Sequence, residues 1–250
     1  MGMVKTDNIY IKRARKKRAI KRTFILIILL IIGGVIFVTQ TDVFKVDTIE
    51  CTGENLVTSD FVMDKSQVLN GELIFTVNKK KVLEILSENP YIKSVEVIKR
   101  MPRKLVIDVS EKKGLYYIDN GSGYSIISSD LLFLENVDSI EDKELIEIRG
   151  IDISQFKVGD KISDNERFTH ILEEFYKEEQ VIRKKNEEFS IVAVDLESLS
   201  NIKVYLDDIL VRLGNDENIR NKMSNAINIY KTGVVTEYID ASFNGTPDFK

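Results

Sequence analysis

The stretch NPYIKSVEVIKRMPRKLVIDVSEK, residues 89–112, decides how the fold is read. Pro90 restricts Asn89 to extended backbone, so a helix arriving from upstream ends there. Residues 91–99 carry the β-branched and aromatic side chains of a strand. Arg100-Met101-Pro102-Arg103 turns the chain. Residues 104–110 return with Leu105, Ile107 and Val109 on one face and Lys104, Asp108 and Ser110 among the polar positions. Upstream of this pair, Asn78 caps a helix whose apolar face is Val82, Ile85 and Leu86. Gly71 breaks the chain ahead of a short apolar segment, Leu73-Ile74-Phe75. Thr58 or Ser59 caps a shorter helix over residues 60–65. Before that, residues 44–52 form a strand that ends at a turn, Gly53-Glu54-Asn55. Residues 42–111 therefore read as one compact β-α-α-β-β unit.

Further upstream lies TFILIILLIIGGVIFVTQT, residues 23–41. Its central 15 residues, 24–38, carry no charge and no polar side chain. As a helix the 19 residues span about 28 Å at 1.5 Å per residue, close to a hydrocarbon core of roughly 30 Å. Lys12, Arg13, Arg15, Lys16, Lys17, Arg18, Lys21 and Arg22 precede it, and Asp42 follows. The positive-inside bias keeps the N-terminus in the cytoplasm and sends the 209 residues after Thr41 outside. A cleaved signal peptide has a similar outline, but Val38-Thr39-Gln40-Thr41 offers no small-residue cleavage site. A buried core helix lacks support, because no polar second face marks it. Residues 1–22 have almost no apolar periodicity and read as a short, mostly disordered basic tail.

Downstream, Leu115-Tyr116-Tyr117-Ile118 and Tyr124-Ser125-Ile126-Ile127 flank the turn 119–123 and read as a hairpin. Residues 131–134 and 145–148 are further short strands. Ser163-Asp164-Asn165-Glu166 has the form of a capping box, opening a helix to about Lys184 with Phe168, Ile171, Leu172 and Phe175 on one face. Residues 190–196 are a strand, and 202–206 and 209–213 form a second hairpin about Asp207-Asp208. Asn215 or Asp216 starts another helix, with Ile219, Met223, Ala226, Ile227 and Tyr230 aligned. Residues 234–243 are the last strand, and 244–250 a polar tail. The fold class is α+β: one transmembrane helix, the β-α-α-β-β domain, then a mixed or antiparallel β domain with two helices. The domains are 1–22 basic tail, 23–41 transmembrane helix, 42–111 the α/β unit, 112–243 the β-rich domain, and 244–250 the tail.

Charge and composition limit the function. Residues 1–22 hold nine Lys/Arg against one Asp, a net of +8, so within the chain's −4 the remainder carries −12. A basic run beside an apolar helix suits anionic lipid headgroups, and the acidic body argues against a nucleic-acid partner. The one cysteine, Cys51, forbids an intramolecular disulfide, so the body is stabilised by apolar cores. An interchain disulfide is the alternative to a half-buried strand residue. No catalytic constellation assembles. The one histidine, His170, lies in a helix, and no serine stands in a nucleophile elbow. One His and one Cys make no nitrogen/sulfur zinc site. Asp207/Asp208 and Glu173/Glu174 read as solvated turn and helix charges, rather than a glycosidase pair. No phosphate-cradling glycine loop is present, and with no Trp a sugar-stacking platform is weak. The reading is therefore no enzyme, no cofactor, no metal, no nucleic acid and no small-molecule substrate.

What remains is interaction surface. The last strand is a natural sheet edge for a partner strand, with Val234, Tyr238, Ile239 and Phe243 as candidates, against the plain reading of a protected sheet member. Gly33-Gly34 offers a close-packing point for another helix, or is a harmless small pair.

Several of these segments resemble a known family. Phe44-Lys45-Val46, Ile49, Gly53-Glu54-Asn55, residues 89–97, Arg100-Met101-Pro102 and residues 105–111 resemble a POTRA domain, in the form found in the bacterial cell-division proteins FtsQ and DivIB. The run 202–208, Val211-Arg212-Leu213-Gly214, Lys222-Met223 and the closing Tyr238-Ile239-Asp240 are similar to that family's second, β-rich domain. Two departures stand out. After the hairpin the family usually has Asp, two variable residues and Gly, where this chain has Ser128-Ser129-Asp130-Leu131. After Tyr-Ile-Asp it often has Leu-Arg-aromatic, where this chain has Ala241-Ser242-Phe243, so no arginine contact carries over.

The resemblance implies a non-catalytic divisome scaffold in the cell membrane, enriched at the division septum. Its implied partners are small bitopic division proteins of the FtsB/DivIC and FtsL type, septal wall synthases and membrane lipid. The β-rich C-terminal region would take the partners, and the POTRA unit would add a peptide or serve recruitment. The alternatives are an extracytoplasmic POTRA-type peptide receptor in secretion or envelope sensing, and a tethered wall hydrolase.

Overall fold

The structure, a computed structural model, describes residues 7–53, 58–141, 143–243 and 245–250, with side chains from residue 15 onward. Glu54 and Asn55 of the expected turn, and Asn244 of the expected tail, lie outside the described residues. The fold is α+β, and the chain divides into two compact units: residues 1–86 with 94–109, and residues 87–93 with 110–250.

One helix, α1 (Asp7–Gln40), runs through the basic segment and the apolar one without a break. The basic segment is thus helical from Asp7 rather than disordered. Its Lys, Arg and Ala are good helix formers, and no Pro or Gly separates them from the apolar run. Residues 15–40 are long and apolar enough to cross a membrane, and none of that span is buried within the protein. This fits a single-pass membrane protein.

The first unit continues with β1 (Thr48–Thr52), α2 (Ser59–Ser66), α3 (Lys79–Leu86) and the greater part of β2 (Ile92–Arg100) and β3 (Lys104–Glu111), whose residues 92–93 and 110–111 are counted with the second. The β-α-α-β-β order is as expected. The sheet order is β1-β3-β2, with β1 and β3 parallel from Thr48↔Lys104 to Thr52↔Asp108. The first strand is shorter than expected, because Asp42–Phe44 winds into a 3-10 turn and Lys45 bridges to Leu73. Asn78 caps α3, its Oδ1 accepting from Lys81 N at 3.0 Å. Val82 and Leu86 of that helix are buried with Val62, Leu69, Ile74, Val95, Leu105 and Ile107. Val106, assigned no face by the alternation, is also buried, as suits the central strand of the three. Cys51 is half-buried in β1.

The second unit holds β4 (Gly114–Asp119), β5 (Tyr124–Ser128), β6 (Phe133–Val137), β7 (Ile146–Arg149), α4 (Glu166–Lys184), β8 (Ile191–Asp195), β9 (Ile202–Leu206), β10 (Ile209–Gly214), α5 (Ile219–Tyr230), β11 (Tyr238–Asp240) and β12 (Asp248–Phe249). They form a single sheet in the order β12-β11-β10-β9-β8-β7-β4-β5-β6. The sheet is mixed: β4–β7, β7–β8 and β10–β11 are parallel pairs and the rest antiparallel. Its core packs Tyr116, Ile146, Val194, Val204 and Leu206 of the strands against Ile171, Leu172 and Phe175 of α4 and Met223 and Ala226 of α5.

Four local expectations change. The α4 cap is Asn165, whose Oδ1 accepts from Arg167 N at 3.0 Å, while Ser163 Oγ accepts from Asn165 N. The helix α5 starts at Ile219, behind Asn218 in a left-handed conformation, because Asn215 and Asp216 are committed elsewhere. Asn215 Oδ1 accepts from Lys222 Nζ, and Asp216 takes both Arg167 Nε and Nη2, at 2.9 and 2.6 Å. The strand expected over 234–243 shrinks to Tyr238–Asp240. Residues 245–250, expected as a polar tail, instead fold back to supply β12.

Candidate functional site: the β11–β12 sheet edge

β11 is short, and both of its sides are occupied. Leu210, Val211 and Arg212 of β10 face Tyr238, Ile239 and Asp240 in parallel register. On the other side Ile239 pairs with Phe249 and Asp240 with Asp248. The carbonyl of Lys250 accepts from Thr236, Glu237 and Tyr238 N–H groups, and Lys250 N donates to Tyr238 O at 3.0 Å. Lys250 Nζ also meets Glu237 at 3.0 Å. At this end of the sheet the outermost strand is therefore β12, with its two exposed residues.

The four residues singled out by sequence divide. Ile239 is fully buried in the core beside Val211, as strand alternation requires of a one-face-in strand. Tyr238 is half-buried, and the Arg212 guanidinium lies over its ring at 4.9 Å. Val234 and Phe243 are 58% and 48% exposed, just outside the strand on either side. Gly214, at φ +67°, is where β10 ends. A side chain there would meet Ser242 within 3.0 Å, so glycine lets the segment after β11 pass closely. Gly33 and Gly34 of α1 have no other atoms within 4 Å of where a Cβ would stand.

Beneath the edge, charged side chains do structural work that the sequence pattern did not disclose. Lys222 is buried, and its Nζ donates to Leu213 O, Asn215 O and Asn215 Oδ1 at 2.9–3.1 Å. It ties α5 to the end of β10. Glu179 is buried on α4. Its Oε2 accepts from Ile191 N at 2.6 Å and its Oε1 from Arg183 Nε at 2.7 Å, so it fixes the start of β8. Asp207, expected as a solvated turn charge, accepts from Ser190 N and Oγ and from Tyr230 OH at 2.9 Å. Burial, then that bond to Asp207, pushes the Tyr230 phenol up to about 12. Asp208 is exposed, as expected. No sequence signal marks Glu179 or Lys222 apart from their positions among apolar neighbours on helical faces.

At the other end of the sheet, Leu131 stands where the related pattern has glycine, with φ +62° and no exposed surface. The turn is held from both sides. Ser128 Oγ donates to Asp130 Oδ1 and accepts from Leu132 N, and Lys112 Nζ donates to Asp130 Oδ2. Burial pushes the Asp130 carboxyl up, but its bonds from Lys112 and Ser128 outweigh this and hold it below the usual range.

Among the described residues no group of three or more His, Cys, Asp or Glu is placed to hold a metal. His170 is exposed on α4. At the β11–β12 edge the arrangement offers backbone hydrogen bonding with apolar side chains beside it.

The family described as "POTRA domain, FtsQ-type" matches residues 44–112. A protein named cell division protein DivIB from Clostridium botulinum (strain Hall) is 32% identical over 253 residues, covering 99% of this chain and 97% of its own length. A DivIB from Clostridium acetobutylicum is 29% identical, covering 82% of each chain. The DivIB of Bacillus subtilis is 32% identical over 46% of this chain and 44% of its own. With its POTRA unit, its β-rich sheet and an apolar N-terminal helix in the same order as the sequence pattern implies, the chain belongs to the DivIB/FtsQ family of bacterial cell-division proteins.

Proposed function

We propose that the protein is a non-catalytic scaffold of the division machinery, with α1 crossing the cell membrane, its basic end cytoplasmic and the two units outside. It holds small bitopic division proteins of the FtsB/DivIC and FtsL type and through them helps assemble and regulate septal wall synthesis. The observation that carries this reading is the β11–β12 edge: a short, exposed sheet edge with Val234 and Phe243 uncovered beside it. A partner strand pairing there satisfies backbone donors and acceptors, and the two side chains give it an apolar footing. Tyr238 lines the same edge, and Ile239 acts by holding β11 in the sheet.

The test is capture of a DivIC-type partner by the full chain in nanodiscs. Val234→Lys with Phe243→Lys weakens capture about tenfold while the melting transition stays in place. A charge at a desolvated contact costs roughly the 1.4 kcal/mol that a tenfold loss represents. Unchanged affinity in the folded double variant removes the edge from the interface. A fluorescent fusion spread evenly round the cell, with division normal after loss of the gene, removes the division role altogether.

A further inference from the structure

The link between α1 and the first unit is short. Thr41 N still donates to Phe37 O, Asp42–Phe44 make one 3-10 turn, and from Phe44 onward the chain is bonded into the unit. Ile74 N donates to Phe44 O at 2.9 Å, Val46 N to Glu72 O at 2.8 Å and Gly71 N to Val46 O at 2.8 Å. Two more helical residues and one 3-10 turn place Phe44 roughly 10 Å beyond Val38, the last apolar residue of the span. Headgroups reach about 5–7 Å beyond the hydrocarbon on each face. This end of the unit therefore stands against the headgroup layer.

The same end carries apolar side chains with nothing over them. Val43 is 44% exposed, Phe75 is 50% and Met101 is 52%. The Phe75 ring lies 5.4 Å from that of Phe44. Met101 sits at the tip of the β2–β3 hairpin, which is tied to this end. Lys99 Nζ donates to Phe75 O at 3.2 Å, and Arg103 O accepts from Asp47 N at 3.0 Å.

Charge is massed here too. Of the ten Lys/Arg in residues 42–111, eight fall in these segments: Lys45, Lys79, Lys80, Lys81, Lys99, Arg100, Arg103 and Lys104. The local acids Asp42, Glu72, Asp47 and Glu50 pair with Lys45, Lys81, Arg103 and Lys104. Glu84 stands 3.9 Å from Lys80 on the exposed face of α3, which leaves a surplus of positive charge from Lys79, Lys99 and Arg100, on a body of net −12 across residues 23–250.

We propose that this end of the first unit is a membrane-contact surface. Lys79, Lys80 and Arg100 take anionic phospholipid headgroups, and Phe75, Met101 and Val43 seat in the interface of the bilayer that α1 crosses. Exposed apolar side chains ringed by Lys and Arg are the chemistry of interfacial binding. The surface needs only that α1 spans the bilayer, and holds whichever face the units occupy and whatever they bind at the β11–β12 edge.

The chain has no Trp, so one introduced indole reports alone. Phe75→Trp and, separately, Met101→Trp are placed in the full chain in nanodiscs. Ser110→Trp is the reference, six residues along β3 from Lys104 and so roughly 20 Å away. In phosphatidylglycerol-containing discs, lipids brominated near the top of the acyl chain quench the Phe75→Trp and Met101→Trp chains at least threefold more than the reference. The excess falls to the reference level in pure phosphatidylcholine, or when Lys79→Glu, Lys80→Glu and Arg100→Glu are added. Quenching equal to the reference in both lipids overturns the contact. Strong quenching that is the same in both lipids overturns recognition of anionic headgroups. Loss of quenching at one reporter in a chain whose melting has shifted is decided by the other reporter.

Discussion

The two units spend their charged residues differently. In residues 42–111, ten Lys/Arg nearly balance twelve Asp/Glu, yet the cations gather at one end. In residues 112–250, 17 Lys/Arg face 27 Asp/Glu, a net of −10. There the charges that matter most are turned inward: Lys222 on carbonyls, Glu179 on a strand N–H, Asp207 on Ser190 and Tyr230. In the three-stranded unit the cations at that end stand on the rim, where Lys45, Lys81, Arg103 and Lys104 meet Asp42, Glu72, Asp47 and Glu50. The nine-stranded unit uses side chains to join helices to strand ends. Composition alone does not distinguish these uses, because a lysine on a rim and a lysine under a helix count the same.

The strongest way to break this comparison is Glu179→Ala. It strands the Ile191 N–H beside the core and leaves Arg183 with Glu144 as its remaining partner, and should cost the second unit about 3 kcal/mol. Urea unfolding followed by probes in each unit would show the loss in the second unit alone. A loss below about 1 kcal/mol would mean the buried carboxylate is replaceable by water. Next is Leu131→Gly, which restores the glycine of the related pattern. It relieves roughly 1–2 kcal/mol of left-handed strain but removes a fully buried leucine, a loss of about 3–5 kcal/mol with its cavity. The net is destabilisation by about 2 kcal/mol, and a more stable variant would show that strain dominates this turn.

Tyr230→Phe sharpens the picture through pH. The folded phenol titrates near 12 and the unfolded one near 10. Its contribution is therefore full below pH 10 and is lost as pH rises toward 12. The variant should be about 1 kcal/mol less stable than the parent at pH 8, and the gap should narrow at pH 11.5. A constant gap would place the tyrosine outside the hydrogen bond to Asp207. Removing residues 245–250 separates two forms of the proposed edge. Weaker partner capture means β12 is the docking edge, and stronger capture means β12 guards β11. The smallest effect is Lys79→Glu with Lys80→Glu, which should move the stability of the first unit by under about 0.5 kcal/mol. A larger loss would mean these lysines are structural after all.

Much of the fold was legible because local signals agreed. Asn78, Pro90 and the strand-turn-strand of 89–112 each mark a boundary by backbone chemistry that no tertiary contact overrides. Errors fell where a side chain had two possible uses. Ser163 and Glu166 fit a capping box, but Asn165 is two residues closer to the helix and caps it. Asn215 and Asp216 are good caps drawn away by Lys222 and Arg167. The long apolar-looking run 234–243 suggested a full strand, but only Tyr238–Asp240 pair in register with β10, with Ala241 N adding a bond to Arg212 O. The candidate site was legible in its position and not in its detail. Pairing of 248–249 with 239–240 is made by backbone groups, and backbone pairing leaves no mark on residue type.

The three-residue link at Thr41–Val43 also changes the arithmetic of encounter. With α1 across a bilayer, the near end of the first unit is kept within about 10 Å of the lipid, and the chain searches a thin sheet of space rather than a volume. Any protein tethered to the same bilayer by an equally short link meets it there at effective concentrations on the order of millimolar. On the proposed reading of the β11–β12 edge, a contact of two strand residues would then be enough for such a partner and too weak for a protein free in solution, so that proximity rather than affinity would be the source of selectivity.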